Sequence, residues 1–125
     1  MLYDHIDLRV SDLANVRPLY DALLPAMGFS RIDESDTDVN YHRPEKDHAH
    51  PFFGLMVDPE HRPNGSRIAF RVDSRKEIDR LAAIARTSGA RAFEPPEIYD
   101  EDHPYYYATF FEDGDGNKLE ICCRE

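Results

Sequence analysis

The chain has 125 residues, 41% hydrophobic and 32% charged, an ordinary globular balance for one domain that buries about two-thirds of its unfolded surface. A formal charge of -10 leaves few clustered Lys and Arg for phosphate contacts, which excludes nucleic acid as the expected partner. No apolar run approaches the ~20 residues of a membrane span, and the opening MLYDHIDLRV lacks the basic and apolar regions of a secretory signal, so a cytoplasmic setting without membrane contact is expected.

The first segment, HIDLRVSD from His5, alternates like a strand with one buried face. Ser11 is a plausible N-cap for a helix in which Val16, Leu19, Tyr20, Leu23 and Leu24 recur at helical spacing, Pro18 and Pro25 mark distortions, and Gly28 ends the run. Three short β segments follow, roughly 29–33, 39–43 and 51–57, and then DPEHRPNGS, 58–66, reads as a linker. Beyond it the design recurs. RIAFRVDS from Arg67 aligns with HIDLRVSD at an offset of 62 (67 minus 5), and Asp73 or Ser74 caps a helix with the stripe Ile78, Leu81, Ala82 and Ala85 that stops at Gly89. Strands are predicted over 91–94, 105–112 and 118–124.

The predicted architecture is therefore α+β: tandem βαβββ modules, module one about 1–58 and module two about 66–125, within a single domain spanning 1–125. A four-stranded sheet with one helix leaves its other face bare, so two such modules are expected to curl into an open, mixed β-sheet barrel with a central cleft.

Near the end, FFEDGDGNKLEICC imitates a calcium loop, but counting from Asp113 places Lys118 where the loop needs Gly and Arg124 where it needs a bidentate Glu. Asp, Gly and Asn between apolar β-formers make a hairpin turn instead. Cys122 and Cys123 are adjacent, which suits neither a zinc spacing nor a disulfide framework; alternation predicts one in the core and one facing out. Alternation also sends Tyr105 and Tyr107 to one face and Tyr106 to the other, and splits Phe52 from Phe53 and Phe110 from Phe111. An aromatic pocket with few charges, suited to a small organic molecule with a polar end, follows. His48 and His50 read as solvated loop residues; His42 and His103 lie beside predicted strands and are expected at the surface, with His103 standing out because it immediately precedes the tyrosine strand.

The stretches DHIDLRVSDL, LYDALLPAMGF, RIAFRVDSRKEID and HPYYYATFFEDGDGNKLEI resemble the vicinal oxygen chelate superfamily, which comprises glyoxalase I, extradiol dioxygenases, fosfomycin-resistance enzymes and bleomycin-resistance proteins. The resemblance covers essentially the whole chain. In the metal-dependent members the first and last strand of each module each give one ligand, and the matching positions here are His5, Gly54, Arg67 and Glu120. The resemblance thus implies a glyoxalase-like small-molecule enzyme, with a divalent metal (Fe, Mn, Ni or Zn) on His5 and Glu120, lyase, isomerase or dioxygenase chemistry on adjacent oxygens, and Glu120 as the catalytic carboxylate. Gly54 and Arg67 are not metal ligands, so the alternative is a metal-free binding or sequestering protein of the bleomycin-resistance type. Arg67 itself has two readings, a structural ion pair with Glu120 or an anchor for an anionic ligand oxygen. Arg67, His103, Tyr105, Tyr107 and Phe53 are the expected ligand-binding residues, and a homodimer is implied by the resemblance alone.

Overall fold

The computed structural model describes residues 3–44 and 51–125. His48 and His50 lie outside them. The backbone divides after Arg62 into two compact units, each with a helix on one face of a four-stranded sheet.

In module one, β1 (His5–Val10) leads into α1 (Leu13–Ala26), followed by β2 (Arg31–Glu34), β3 (Asp38–His42) and β4 (Phe52–Val57). The sheet order is β1-β4-β3-β2, with β1 parallel to β4 and the other pairs antiparallel. The N-cap is Asp12 rather than Ser11: Asp12 has extended backbone and its carboxylate accepts from the Ala14 N–H at 2.9 Å. Gly28, at φ 98°, closes the helix in the left-handed conformation, which lets Gly28 and Phe29 donate back to the Pro25 and Leu24 carbonyls. Val16, Leu19, Tyr20, Leu23 and Leu24 are buried, and the Tyr20 ring packs on Phe53 at 5.7 Å. Alternation places Phe53 and Leu55 of β4, with Val39 and Tyr41 of β3, on this helix-covered side.

Module two repeats the plan with β5 (Arg67–Arg71), α2 (Arg75–Thr87), β6 (Arg91–Glu97), β7 (Tyr106–Glu112) and β8 (Lys118–Arg124), ordered β5-β8-β7-β6. Ser74, one of the two expected caps, accepts from Glu77 N–H at 3.2 Å, and the Glu77 carboxylate sits favourably in the positive first turn. Ile78, Leu81, Ala82 and Ala85 are buried, as their spacing predicts. β6 runs three residues past its expected end, through Pro95 and Pro96. It lies at the sheet edge, where a missing N–H costs no ladder bond, and its register shifts on both sides of Glu94.

The acidic segment 113–117 is a hairpin turn. The Asp113 carboxylate, fully buried, accepts from the backbone N–H of Asp115 (2.8 Å) and Asn117 (3.0 Å) and from the Asn117 side-chain amide (2.9 Å). Those oxygens are spent on turn donors, which explains why the sequence imitates a cation loop without its closing ligand. Cys122 and Cys123 point to opposite faces, but neither faces out: both are free and buried. Cys122 shares its face with Glu120, and its thiol is covered there.

Candidate functional site

The site is built on the face of module two that α2 leaves bare. The register Ala69↔Glu120↔Phe110 places Glu120 at the centre of β8, between the smallest side chain of β5 and a ring of β7. Ala69 leaves room beside the carboxyl, and Arg67, one same-face step along β5, lays its guanidinium over Phe110 at 5.0 Å from the ring centroid. Glu120 is 6% exposed, and its Oε2 is buried with no hydrogen-bond partner among the described residues. Burial raises its pKa above the ordinary 4.5, with the charge of Arg67 and a hydrogen bond from Cys122 opposing. Burial, and after it the Glu120 carboxylate alongside, pushes the Cys122 thiol up.

Two same-face steps further along β8, Arg124 stacks on Tyr106, 4.4 Å from its ring centroid. Neither Arg67 nor Arg124 forms an ion pair among the described residues, so both guanidinium edges are available to an acceptor. Tyr99, Asp100, His103, Tyr106, Phe110 and Arg124 line a cavity of about 360 Å³. Tyr99 meets Phe110 edge to face at 5.1 Å, and Asp100 Oδ2 pairs with His103 Nδ1 at 2.7 Å, which leaves the other imidazole nitrogen outside that bond. The bond from His103 lowers the Asp100 pKa.

Of the sequence-predicted residues, Glu120, Arg67 and His103 fall on or beside this face. Tyr107 and Phe53 do not. Tyr107 points to α2, where its hydroxyl donates to Asp79 at 2.7 Å, a bond that with partial burial pushes its pKa up to about 12, and Phe53 packs under α1. Their neighbours Tyr106 and Phe52 take the bare faces, one step out of phase with the expected parity. Tyr105 lies just before β7, 52% exposed, with its ring edge-on to His103 at 6.4 Å. Arg124, Tyr106, Phe110, Tyr99 and Asp100 were not singled out by sequence. Counting back from Glu120 across the five-residue turn would have found Phe110 and Tyr106; the loop residues carry no such signal.

The equivalent face of module one is built differently. His5 stacks flat on Phe52 at 4.5 Å, with its Nδ1 on Asp4 at 2.7 Å and its Nε2 3.8 Å from Asp7. Gly54, the counterpart of Glu120 at an offset of 66 (120 minus 54), is crossed by the Asn40 and Asp7 side chains, whose oxygens would lie 2.6 and 3.0 Å from a Cβ placed there. His42 is not the surface histidine expected: it lies in β3 with its side chain 15% exposed, its Nε2 3.1 Å from Asp33 and its Nδ1 buried without a hydrogen-bond partner among the described residues.

A glyoxalase/bleomycin resistance protein/dioxygenase superfamily model matches residues 2–121. The chain belongs to that superfamily. A relative from Bacillus subtilis (strain 168), the uncharacterized protein YqjT, is 26% identical over 132 residues, covering 94% of each chain. The structure of a glyoxalase/bleomycin resistance protein from Albidiferax ferrireducens T118 matches with a TM-score of 0.77 at 26% identity over 100% of both chains. The fosfomycin resistance protein FosX from Listeria monocytogenes matches with a TM-score of 0.71 at 17% identity, covering 98% of this chain and 93% of its own, a likeness of fold.

Divalent metals are common in this superfamily, and the donors here do not fit one. Of the four positions, only His5 and Glu120 carry metal-competent side chains; Arg67 is a cation, and the space at Gly54 is taken by Asn40 and Asp7. Among the described residues no group of three His, Cys, Asp or Glu side chains is arranged to hold an ion.

Proposed function

We propose that this protein is a glyoxalase-like enzyme acting on a small carbonyl compound, in which Glu120 moves a proton at the carbon beside the carbonyl and Arg67 stabilises the negative charge that develops on the oxygen. The observation that carries this reading is the buried Glu120 oxygen without a hydrogen-bond partner among the described residues, with the charge of Arg67, which forms no close ion pair among those residues, acting on it. A buried carboxyl whose pKa burial raises is a stronger base than an exposed one, and a fixed cation can do electrostatically part of what a metal does for an enolate oxygen. His103, held by Asp100, is a positioning or relay group at the edge of the same face.

The reading is tested by incubating the protein with a panel of 2-oxo and 2-hydroxy carbonyl compounds in D2O and following C–H to C–D exchange by NMR. Exchange that falls about 100-fold or more in Glu120→Gln, and survives a chelator, is the expected result. Exchange equal in parent and variant overturns it. Loss on chelation, restored by Fe, Mn, Ni or Zn and abolished by His5→Ala, assigns His5 and Glu120 to a metal instead.

A second reading, a binding protein of the bleomycin-resistance type, is favoured by the cavity at Tyr106 and Phe110, which is complete without an ion. It predicts ligand binding with no exchange at any carbon.

A further inference from the structure

Glu120 and Arg124 share one face of β8 and are four residues apart, a span of about 13 Å between Cα positions at ~3.3 Å per residue. The cavity lies at the Arg124 end of that span, and three of its six lining residues are aromatic. Its rings are already committed to cations: Arg124 covers Tyr106, and Arg67 covers Phe110. A cationic ligand seeking those π-faces would meet guanidinium groups first. An anion in the cavity would meet the donor edge of Arg124, which has no ion-pair partner among the described residues. The cavity's single carboxylate, Asp100, is already held by His103. Tyr99, set edge-on to Phe110, offers a ring wall against which a flat ligand packs offset. A cavity of about 360 Å³ is at the small end of ligand pockets and takes one substituted ring.

We propose that the substrate is an aromatic acid: its ring lies among Tyr99, Tyr106 and Phe110, its carboxylate docks on Arg124, and the reacting carbonyl arm extends from the opposite side of the ring toward Glu120 and Arg67. The ring bridges from Arg124 at one end of this face toward Glu120, four residues away along β8. This inference rests on the Glu120 reading above and adds the class of compound. It makes Arg124 a specificity-determining residue, since a planar guanidinium stacked on a ring presents its N–H edge to a carboxylate bidentately, which a lysine in its place would not.

The test titrates benzoate, cyclohexanecarboxylate and benzyl alcohol into the full chain, followed by 1H–15N NMR. Benzoate is expected to saturate the amides around 99–110 and 124 and to bind at least ten-fold more tightly than either comparison compound, one of which lacks the aromatic ring and the other the charge. Arg124→Gln is expected to weaken benzoate at least ten-fold with the spectrum elsewhere unchanged, and Arg124→Lys to recover little of that loss. Equal binding of the three compounds, benzoate affinity unchanged in Arg124→Gln, or no binding of benzoate overturns the proposal. If any of these occurs while Glu120→Gln still abolishes deuterium exchange with an aliphatic carbonyl compound, the substrate class falls and the Glu120 assignment stands. If Arg124 governs benzoate binding but Glu120→Gln leaves exchange unchanged, the aromatic-acid site stands and the catalytic assignment falls.

Discussion

The two modules share one chain plan and differ in what they place on the same square of it. At corresponding positions the bare face of module one carries His5, Asp7 and Gly54, and that of module two carries Arg67, Ala69 and Glu120. In module one the glycine is roofed by Asn40 and Asp7, His5 turns to Asp4 and His42 Nε2 to Asp33, while His42 Nδ1 is buried without a hydrogen-bond partner among the described residues. In module two a small residue stands where Asp7 would, so the carboxyl of Glu120 has space, a buried oxygen without a partner, and two guanidinium groups that rest on rings. A repeated fold thus carries unlike chemistry in its two copies, and function is argued from the site rather than from the fold.

The comparison is broken most severely at the turn that aims β8. Asp113→Ala removes the acceptor for three donors inside a buried turn and is expected to cost about 2–4 kcal/mol in urea unfolding, because those N–H groups are left without partners. Added calcium should not change the midpoint of the parent protein, since the Asp113 oxygens are occupied.

Glu120 gives the next effect, and it runs opposite to that of a structural carboxylate. Its folded-state pKa lies above the ordinary 4.5. The stability held by the neutral carboxyl is therefore full below pH 4.5 and is lost as pH rises through the folded value. Glu120→Gln should be more stable than the parent above that value, by about 1 kcal/mol or ~4 °C in Tm, and the gap should close below pH 4.5. Thermal unfolding across pH 4 to 8 checks this.

Gly54→Ala is the smallest perturbation. Its Cβ meets the ends of two flexible side chains rather than backbone, so a loss of about 1 kcal/mol or less is expected, recovered in the double variant with Asn40→Ala. A loss several times larger would mean that the roof over Gly54 is rigid.

Much of this was legible in the sequence, for identifiable reasons. The duplicated strand and helix were readable because HIDLRVSD and RIAFRVDS keep both period and order, and Gly28 and Gly89 stop helices through their positive φ. β6 outruns its expected end at 94 because an edge strand tolerates Pro95 and Pro96. The tyrosine parity was inverted because three like residues in a row carry no phase of their own; the phase is fixed across the hairpin, by pairing Phe110 with Glu120. Cys122 was half-legible, since alternation fixed its face but not the cover over it. Arg124 and Asp100 were not legible as a site, because they meet only when the 98–104 loop folds back beside β7.

The central claim is that Glu120 is held as a proton carrier by burial and opposed by Arg67, and it is tested most directly by the 13C chemical shift of the Glu120 carboxyl followed through a pH titration in the parent and in Arg67→Gln. A midpoint above 4.5 is expected in the parent and a higher one still in the variant, because removing the guanidinium charge removes the main influence that favours the ionised form. A midpoint at or below 4.5, or one that Arg67→Gln leaves in place, would contradict it.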